Sequence, residues 1–154
     1  MFEQAKVLIK SVALPLLTGF VSGFLTKDAM EVFETMTKPP YSPPGWLFPL
    51  VWTILYTLMG ISIFLITQGE GEKKEQALSL YGYQLIVNFL WPVFFFSFGW
   101  YFFALLWLIL LWILVLKMIL VFYEISPLAA WLNLPYLLWL TFAAYLNAGI
   151  WLLN

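Results

Sequence analysis

Residues 38–56 read Lys-Pro-Pro-Tyr-Ser-Pro-Pro-Gly-Trp-Leu-Phe-Pro-Leu-Val-Trp-Thr-Ile-Leu-Tyr, and the rest of the chain is organised around this stretch. Its first half holds four prolines in six positions. Because proline fixes φ, removes a backbone donor and restricts the residue before it, this half is predicted to be a stiff, non-helical loop. In the apolar second half Phe48, Trp52 and Tyr56 recur every fourth residue, which predicts a helix with one aromatic face.

That aromatic face needs a partner inside the protein. Lipid-facing positions are filled adequately by Leu, Ile and Val, and a buried tryptophan N–H without an acceptor is costly. Two partners are open at this point, namely the neighbouring helices or a flat, apolar ligand.

The composition indicates a membrane protein with several spans. Of 154 residues, 64% are hydrophobic and 10% are charged, far from the averages of soluble domains. The chain has no arginine and a net charge of −1, so it offers no basic surface for nucleic acid. It also has no cysteine and no histidine, which removes disulfides, thiol nucleophiles and the commonest ligands of zinc and haem iron. We therefore expect no hydrolytic chemistry, no metal site and no resident cofactor.

Five apolar runs are long enough to cross the hydrocarbon core of a bilayer. The chain shows neither period-2 alternation nor regularly spaced short strands, so the predicted fold is an all-α bundle rather than a barrel. We predict a single membrane domain, residues 1–154, with a proline-rich lid loop between the first two helices. The predicted spans are residues 6–26, 46–66, 78–97, 100–122 and 129–153.

The third span carries two amides on one face. Gln84 and Asn88 lie one helical turn apart, and Trp91 continues the same side. Because an unpaired amide is expensive in hydrocarbon, this face is predicted to point into the bundle. Such amides either join helices or bind the polar edge of a ligand, and both interpretations are open.

The fifth span places an indole, a small residue and an amide in one row, at Trp139, Ala143 and Asn147. Pro135 is expected to bend this helix. In the first span, Gly19-x-x-x-Gly23 forms a small-residue groove that serves either packing within the bundle or dimerisation.

Lysines are divided unequally between the two ends of the predicted spans. The positive-inside rule therefore predicts a cytoplasmic N-terminus and an outward-facing proline loop. The five lysines on the N-terminal side are Lys6, Lys10, Lys73, Lys74 and Lys117, against Lys27 and Lys38 on the other side.

Four parts of the chain combine prolines, tryptophans and amides at fixed spacings. They read Lys-Pro-x-x-x-Pro-Pro-x-Trp (38–46) with Pro-x-Val-Trp-x-x-Leu-Tyr (49–56), Gln-Leu-x-x-Asn-x-x-Trp-Pro (84–92), Ser-Pro-Leu-Ala-Ala (126–130) and Pro-Tyr-x-x-Trp-x-x-Phe-Ala-x-x-Leu-Asn (135–147). In this order they resemble the translocator protein family, whose members are also called tryptophan-rich sensory proteins or peripheral benzodiazepine receptors.

The resemblance implies a five-helix fold with a pocket inside the bundle that opens toward the loop between the first two helices. The implied ligands are porphyrins such as protoporphyrin IX and synthetic isoquinoline or benzodiazepine compounds. It further implies a homodimer and, for a bacterial-type member, the bacterial cell membrane. By motif, the pocket residues carry over to Trp52, Asn88, Trp139 and Ala143, with Gln84, Trp91, Phe48, Tyr56 and Asn147 as neighbours.

One segment and one single residue depart from the family pattern. Residues 146–152 lack the Tyr and the Arg of a cholesterol-recognition segment, which puts sterol binding there in doubt. Tyr41 stands in the loop where the family pattern leads us to expect a tryptophan, and it is expected to keep a ring over the pocket mouth.

Three functions are open from the sequence. The first is a receptor or carrier that binds tetrapyrroles in an apolar pocket between helices. The second is an enzyme for light-dependent porphyrin breakdown, in which Trp52 and Trp139 would be the catalytic residues. The third is a tetrapyrrole transporter.

Overall fold

The computed structural model describes all residues, 1–154, and its secondary structure is helical throughout. Five segments are long and apolar enough to span a membrane, which confirms the predicted all-α bundle. The helices are α1 (Phe2–Leu25), α2 (Ala29–Thr35), α3 (Leu47–Gln68), α4 (Lys73–Pro92), α5 (Tyr101–Ile125), α6 (Pro127–Leu132) and α7 (Leu134–Leu153). A π-helical turn, Val93–Ser97, continues α4, and α6 and α7 together make the fifth span.

The helices extend beyond the spans predicted from hydropathy at five of the ten ends. The first begins at Phe2 rather than residue 6, and the third begins at Lys73 rather than residue 78. Helical hydrogen bonding continues into polar residues such as those at 73–76, which are good helix formers although they do not favour hydrocarbon. Helix length therefore exceeds the apolar length.

The connection between the first two spans is partly helical. Residues 29–35 form α2, whereas residues 37–46 contain no helix, as the prolines predict. We call residues 37–46 the proline loop. The role of this loop as a lid remains a prediction.

Close approach of α1 to α3 depends on glycine. A Cβ atom added to Gly19 would overlap the Tyr56 ring, and one added to Gly60 would overlap the α1 backbone at Val12. A Cβ at Gly23 would meet nothing within 4 Å. Of the two glycines in the predicted groove, Gly19 therefore serves packing inside the bundle.

The fifth span is interrupted two residues before the proline expected to bend it. Asn133 ends α6, and Pro135 occupies the first turn of α7, where its missing N–H is tolerated. The Asn133 amide donates to Ser62 Oγ at 2.6 Å and to the Ala129 carbonyl at 3.0 Å. These bonds satisfy backbone freed by the break and tie α6 to α3.

Candidate functional site

A chain of hydrogen bonds crosses the bundle interior and joins three spans. The Tyr56 hydroxyl donates to Asn88 Oδ1 at 2.6 Å, and Asn88 Nδ2 donates to the Tyr136 hydroxyl at 2.7 Å. Tyr136 donates in turn to Gln84 Oε1 at 2.8 Å, and Gln84 Nε2 lies 3.8 Å from the Met59 sulfur. We call these five residues the polar chain.

Every member of the polar chain is buried. Gln84 and Met59 are completely inaccessible to solvent, and Asn88 is 4% exposed. Both predicted amides thus bond to side chains of neighbouring helices, as the interpretation that they join helices requires. A satisfied network of this kind fixes helix orientation, because each broken bond would leave a polar group in an apolar interior.

A second group consists of aromatic rings, three of which (Phe48, Trp52 and Trp139) were predicted from the sequence. The Phe48 ring lies 5.7 Å from the Trp139 ring, edge to face, and 5.0 Å from Phe33 of α2. Trp52 approaches Tyr136 edge to face at 6.1 Å. We call four residues the ring cluster below: Phe33, Phe48 and Trp139, which contact one another in this order, and Trp52, whose ring contacts are to Tyr56 and Tyr136.

Trp52 also connects the ring cluster to the polar chain. Its indole stacks on Tyr56, the first donor of that chain, with ring centroids 5.4 Å apart. Such offset contacts between aromatic rings contribute about 0.5–1.5 kcal/mol beyond the area they bury. The two groups of residues therefore share a wall but differ in chemistry.

Trp139 is the member of the ring cluster whose polar atom is both buried and without a partner. Its Nε1 is buried and has no hydrogen-bond partner. Ala143, one helical turn further along α7, is 5% exposed and leaves only a methyl group on this face. A buried indole donor without an acceptor costs about 1–3 kcal/mol, so this position favours an external acceptor.

Trp91 and Asn147 form a separate pair. The Trp91 indole N–H donates to Asn147 Oδ1 at 3.1 Å, and Asn147 Nδ2 donates to the Tyr101 carbonyl at 2.8 Å. Trp91 also stacks on Phe95 of the π-helical turn, at 5.3 Å. Both residues are thus engaged in holding α4, α5 and α7 together at the end of the bundle nearest the proline loop.

The structure does not bring Tyr41 to either group. It lies in a turn of the proline loop with φ of 64°, and its side chain is 91% exposed. Next to it, Pro39 packs so closely against α7 that a Cβ atom at Gly149 would lie 2.5 Å from the proline ring. The Tyr145 hydroxyl donates to the Pro40 carbonyl at 2.7 Å, so the loop rests on α7.

A groove of about 420 Å³ runs along the outer side of α3 and α7 and reaches Trp139. Its walls are apolar, and Ile54 and Leu138 on its rim are 52% and 63% exposed. The groove separates the outer edges of α3 and α7, whose side chains meet deeper in the bundle, where Trp52 contacts Tyr136. Other lining residues are Val51, Leu55 and Phe142.

Sequence reasoning missed three residues of the site. Tyr136, at the centre of the polar chain, follows Pro135 and lies one turn before Trp139, so its position on the same face was a usable signal. Met59 and Phe33 gave no comparable signal, since their roles depend on which helices meet. Phe33 even lies outside all five predicted spans.

This geometry defines a membrane bundle of five spans with an aromatic interior site. A family model with the description "TspO/MBR family" matches residues 11–152. The chain is 38% identical to the tryptophan-rich protein TspO of Chlorobaculum tepidum, with 100% of this chain and 99% of that protein covered. It is 35% identical to the tryptophan-rich protein TspO of Archaeoglobus fulgidus, covering 96% of each chain. Identity to the translocator protein of Bos taurus is 34%, over 90% of this chain and 84% of the relative.

The chain belongs to the TspO/MBR family. Together with the five apolar helices, this membership makes it an integral membrane protein. The membership also supports a receptor or transporter role in the membrane.

Proposed function

We propose that this protein binds flat, apolar tetrapyrroles such as protoporphyrin IX inside the helix bundle, as a membrane receptor or carrier. Isoquinoline and benzodiazepine compounds would occupy the same site, since they too combine flat rings with hydrogen-bond acceptors. The binding site comprises Trp52, Trp139, Ala143 and Phe48, and the polar chain forms its inner wall.

The unpartnered indole N–H of Trp139 is the observation that carries this proposal. Rings supply apolar contact area, and one unsatisfied donor supplies orientation, which is the usual composition of a ligand site between helices. A ring nitrogen or a carbonyl of the ligand would accept this bond. Because Phe48 and Trp139 are in contact with each other, binding requires that at least one of these rings rotates.

The test is a titration of the purified protein with protoporphyrin IX, followed by quenching of tryptophan fluorescence. Ala143→Leu adds three carbons beside Trp139, and we expect it to weaken binding at least tenfold, about 1.4 kcal/mol. Overpacking also costs about 1–3 kcal/mol of stability, so the melting temperature of each variant is measured as well.

Ala148→Leu is the matched control on the same helix, at a partly exposed position. It should leave the affinity unchanged. Equal affinities of the Ala143→Leu protein and the unmutated protein, with the fold intact, would place the ligand elsewhere.

A second candidate function is light-dependent breakdown of the bound porphyrin. The stacking of Trp52 on Tyr56 favours it, because a photo-excited porphyrin could take one electron from the Trp52 indole while a second oxidisable ring lies alongside. Trp52→Phe and Trp139→Phe retain ring area but remove the indole. Under this hypothesis either change abolishes protein-dependent bleaching in light, and dark samples stay unbleached. Protein-dependent bleaching that survives in the double variant excludes the tryptophan mechanism.

We further infer that the N-terminus is cytoplasmic, that the proline loop faces outward, and that the protein forms a homodimer in a bacterial cell membrane. The lysine distribution supports the orientation. A cysteine at Ser42 should then react with an impermeant thiol reagent applied outside, and one at Gln76 should not. Light scattering with detergent correction measures the assembly.

A further inference from the structure

A ligand could reach the ring cluster from two sides. On the side beneath the proline loop, hydrogen bonds attach the loop to α7. Asn154 Nδ2 donates to the Thr37 carbonyl at 2.8 Å, and the Thr37 N–H donates to Asn154 Oδ1 at 3.1 Å. These two bonds hold one end of the loop to the end of α7. The Tyr145 bond holds Pro40, and the tight contact at Gly149 holds Pro39.

The helix before the loop is also well packed. Phe33 is 2% exposed and Met36 is 9% exposed, and both lie in a hydrophobic cluster with Phe95 and Ile150. Burying a large apolar side chain contributes about 1.5–3 kcal/mol. Lifting α2 away from the bundle would expose both residues, so the loop side is costly to open.

The other face is the groove between α3 and α7. Its α3 residues, Val51 to Leu55, lie about 6–12 Å below the start of that helix at 1.5 Å per residue, within the membrane-spanning part. The Phe48–Trp139 contact closes the groove at the end near the proline loop. At the other end, Ser62 Oγ donates to the Ala129 carbonyl at 2.9 Å and joins α3 to α6.

The groove is therefore an apolar slot, closed at both ends and open to the side. One of its walls is Trp139, a member of the ring cluster, so the slot is continuous with the proposed site. Behind the slot, α3 and α7 meet through the edge-to-face contact of Trp52 with Tyr136, so widening the slot requires rotation of the side chains at its rim. We refer to it as the lateral slot.

We infer that the ligand reaches the ring cluster from within the bilayer, through the lateral slot, while the proline loop acts as a fixed cap. This inference rests on the proposed function and specifies its route. The occupant of the slot is the apolar macrocycle of the tetrapyrrole, which partitions into hydrocarbon, while its two propionates point toward the polar surface of the membrane. An aqueous route would instead require the fastened loop and α2 to separate from the bundle.

A second groove offers a matched control. It lies between α1 and α4, has the same volume of about 420 Å³, and is also almost entirely apolar. Ile86 on its rim is 59% exposed, close to the 63% of Leu138 on the rim of the lateral slot. Its lining includes no residue of the ring cluster or the polar chain.

The test measures association and dissociation of protoporphyrin IX by stopped-flow fluorescence with the protein in lipid nanodiscs. Leu138→Trp places a bulky ring at the rim of the lateral slot. We expect association and dissociation to slow together by about tenfold, so that the dissociation constant is nearly unchanged, because an obstructed route raises one barrier for both directions. Ile86→Trp should leave both rates as they are.

The complementary variant locks the loop. Because the chain has no cysteine, Thr37→Cys with Asn154→Cys can be oxidised to a single disulfide between the loop and α7. We expect the oxidised and reduced forms to bind at equal rates. A slower oxidised form, combined with unchanged rates in Leu138→Trp, overturns the lateral route and makes the loop the gate.

These outcomes are distinct from a failure of the proposed function. If the unmutated protein shows no saturable quenching by protoporphyrin IX, the proposed function is wrong, and the inferred entry route is then wrong as well. If binding is saturable but only the loop lock slows it, the proposed function stands and the lateral route is wrong.

Discussion

The polar chain and the ring cluster lie side by side and differ in how well their hydrogen-bonding groups are satisfied. In the polar chain, Tyr56, Asn88, Tyr136 and Gln84 bond to one another across three spans. In the ring cluster, the indole N–H of Trp139 has no partner. The motif resemblance assigns members of both groups to a single pocket, yet the structure gives them different surroundings.

An inward-facing polar residue in a membrane span is therefore not by itself a ligand contact. A satisfied amide stabilises the bundle, and a ligand that displaced its partners would have to replace each bond. An unsatisfied donor among rings stabilises nothing until an acceptor arrives. The comparison therefore predicts that mutations in the polar chain act on stability and those in the ring cluster act on binding.

The largest expected effect is at Asn88. Asn88→Ala removes the acceptor of the Tyr56 hydroxyl and a donor to Tyr136, so two buried hydroxyls lose partners. We expect the free energy of unfolding in detergent to fall by about 2–4 kcal/mol. Denaturant titration followed by circular dichroism measures this loss.

Gln76→Ala is the control, since Gln76 is an amide on the same helix but is exposed. It should change the stability by less than about 0.5 kcal/mol. An Asn88→Ala protein as stable as the Gln76→Ala protein would show that the polar chain does not hold the bundle.

The next effect is at Gly19, which supports the residue shared by the two groups. A Cβ atom at Gly19 would overlap Tyr56, which both stacks on Trp52 and donates to Asn88. We expect Gly19→Ala to destabilise the protein by about 1–3 kcal/mol and to weaken porphyrin binding as well.

Gly23→Ala is the comparison for this prediction, because a Cβ atom there meets nothing within 4 Å. The same substitution should be neutral or stabilise the helix by up to about 1 kcal/mol. Equal melting temperatures of the two variants would show that the Tyr56 ring can move away from a Cβ atom at Gly19 without a loss of stability.

The smallest effect on stability is expected at Trp139. Trp139→Phe keeps an aromatic ring and deletes the unsatisfied donor, so the lost contacts are offset and stability changes by less than about 1 kcal/mol. Binding of protoporphyrin IX should nevertheless weaken by up to about tenfold, or 1.4 kcal/mol. Fluorescence titration measures the affinity, and thermal unfolding of the same samples measures the stability, so the two effects are obtained separately. A large loss of stability with unaltered affinity would reverse the comparison.

The sequence determined the membrane class, the helical fold and the number of spans. Runs of about 20 apolar residues leave few alternatives in hydrocarbon, because every backbone group must find its partner within a helix. The proline loop and the inward direction of Gln84 and Asn88 follow from local rules in the same way. These features depend on residues near one another in the chain, which is why periodicity was sufficient to predict them.

Which polar groups are satisfied depends instead on contacts between segments that are far apart in the chain. Tyr56, Asn88 and Tyr136 lie 32 and 48 residues apart along the chain and bond only because α3, α4 and α7 face each other. Likewise, the contact of Phe33 with Phe48 depends on where α2 folds back, and the lateral slot depends on the spacing of α3 and α7 at their outer edges. Hydrogen bonds and packing between distant segments depend on helix rotation and spacing, which no single span encodes, so the distinction between structural amide and free indole appears only in the folded bundle.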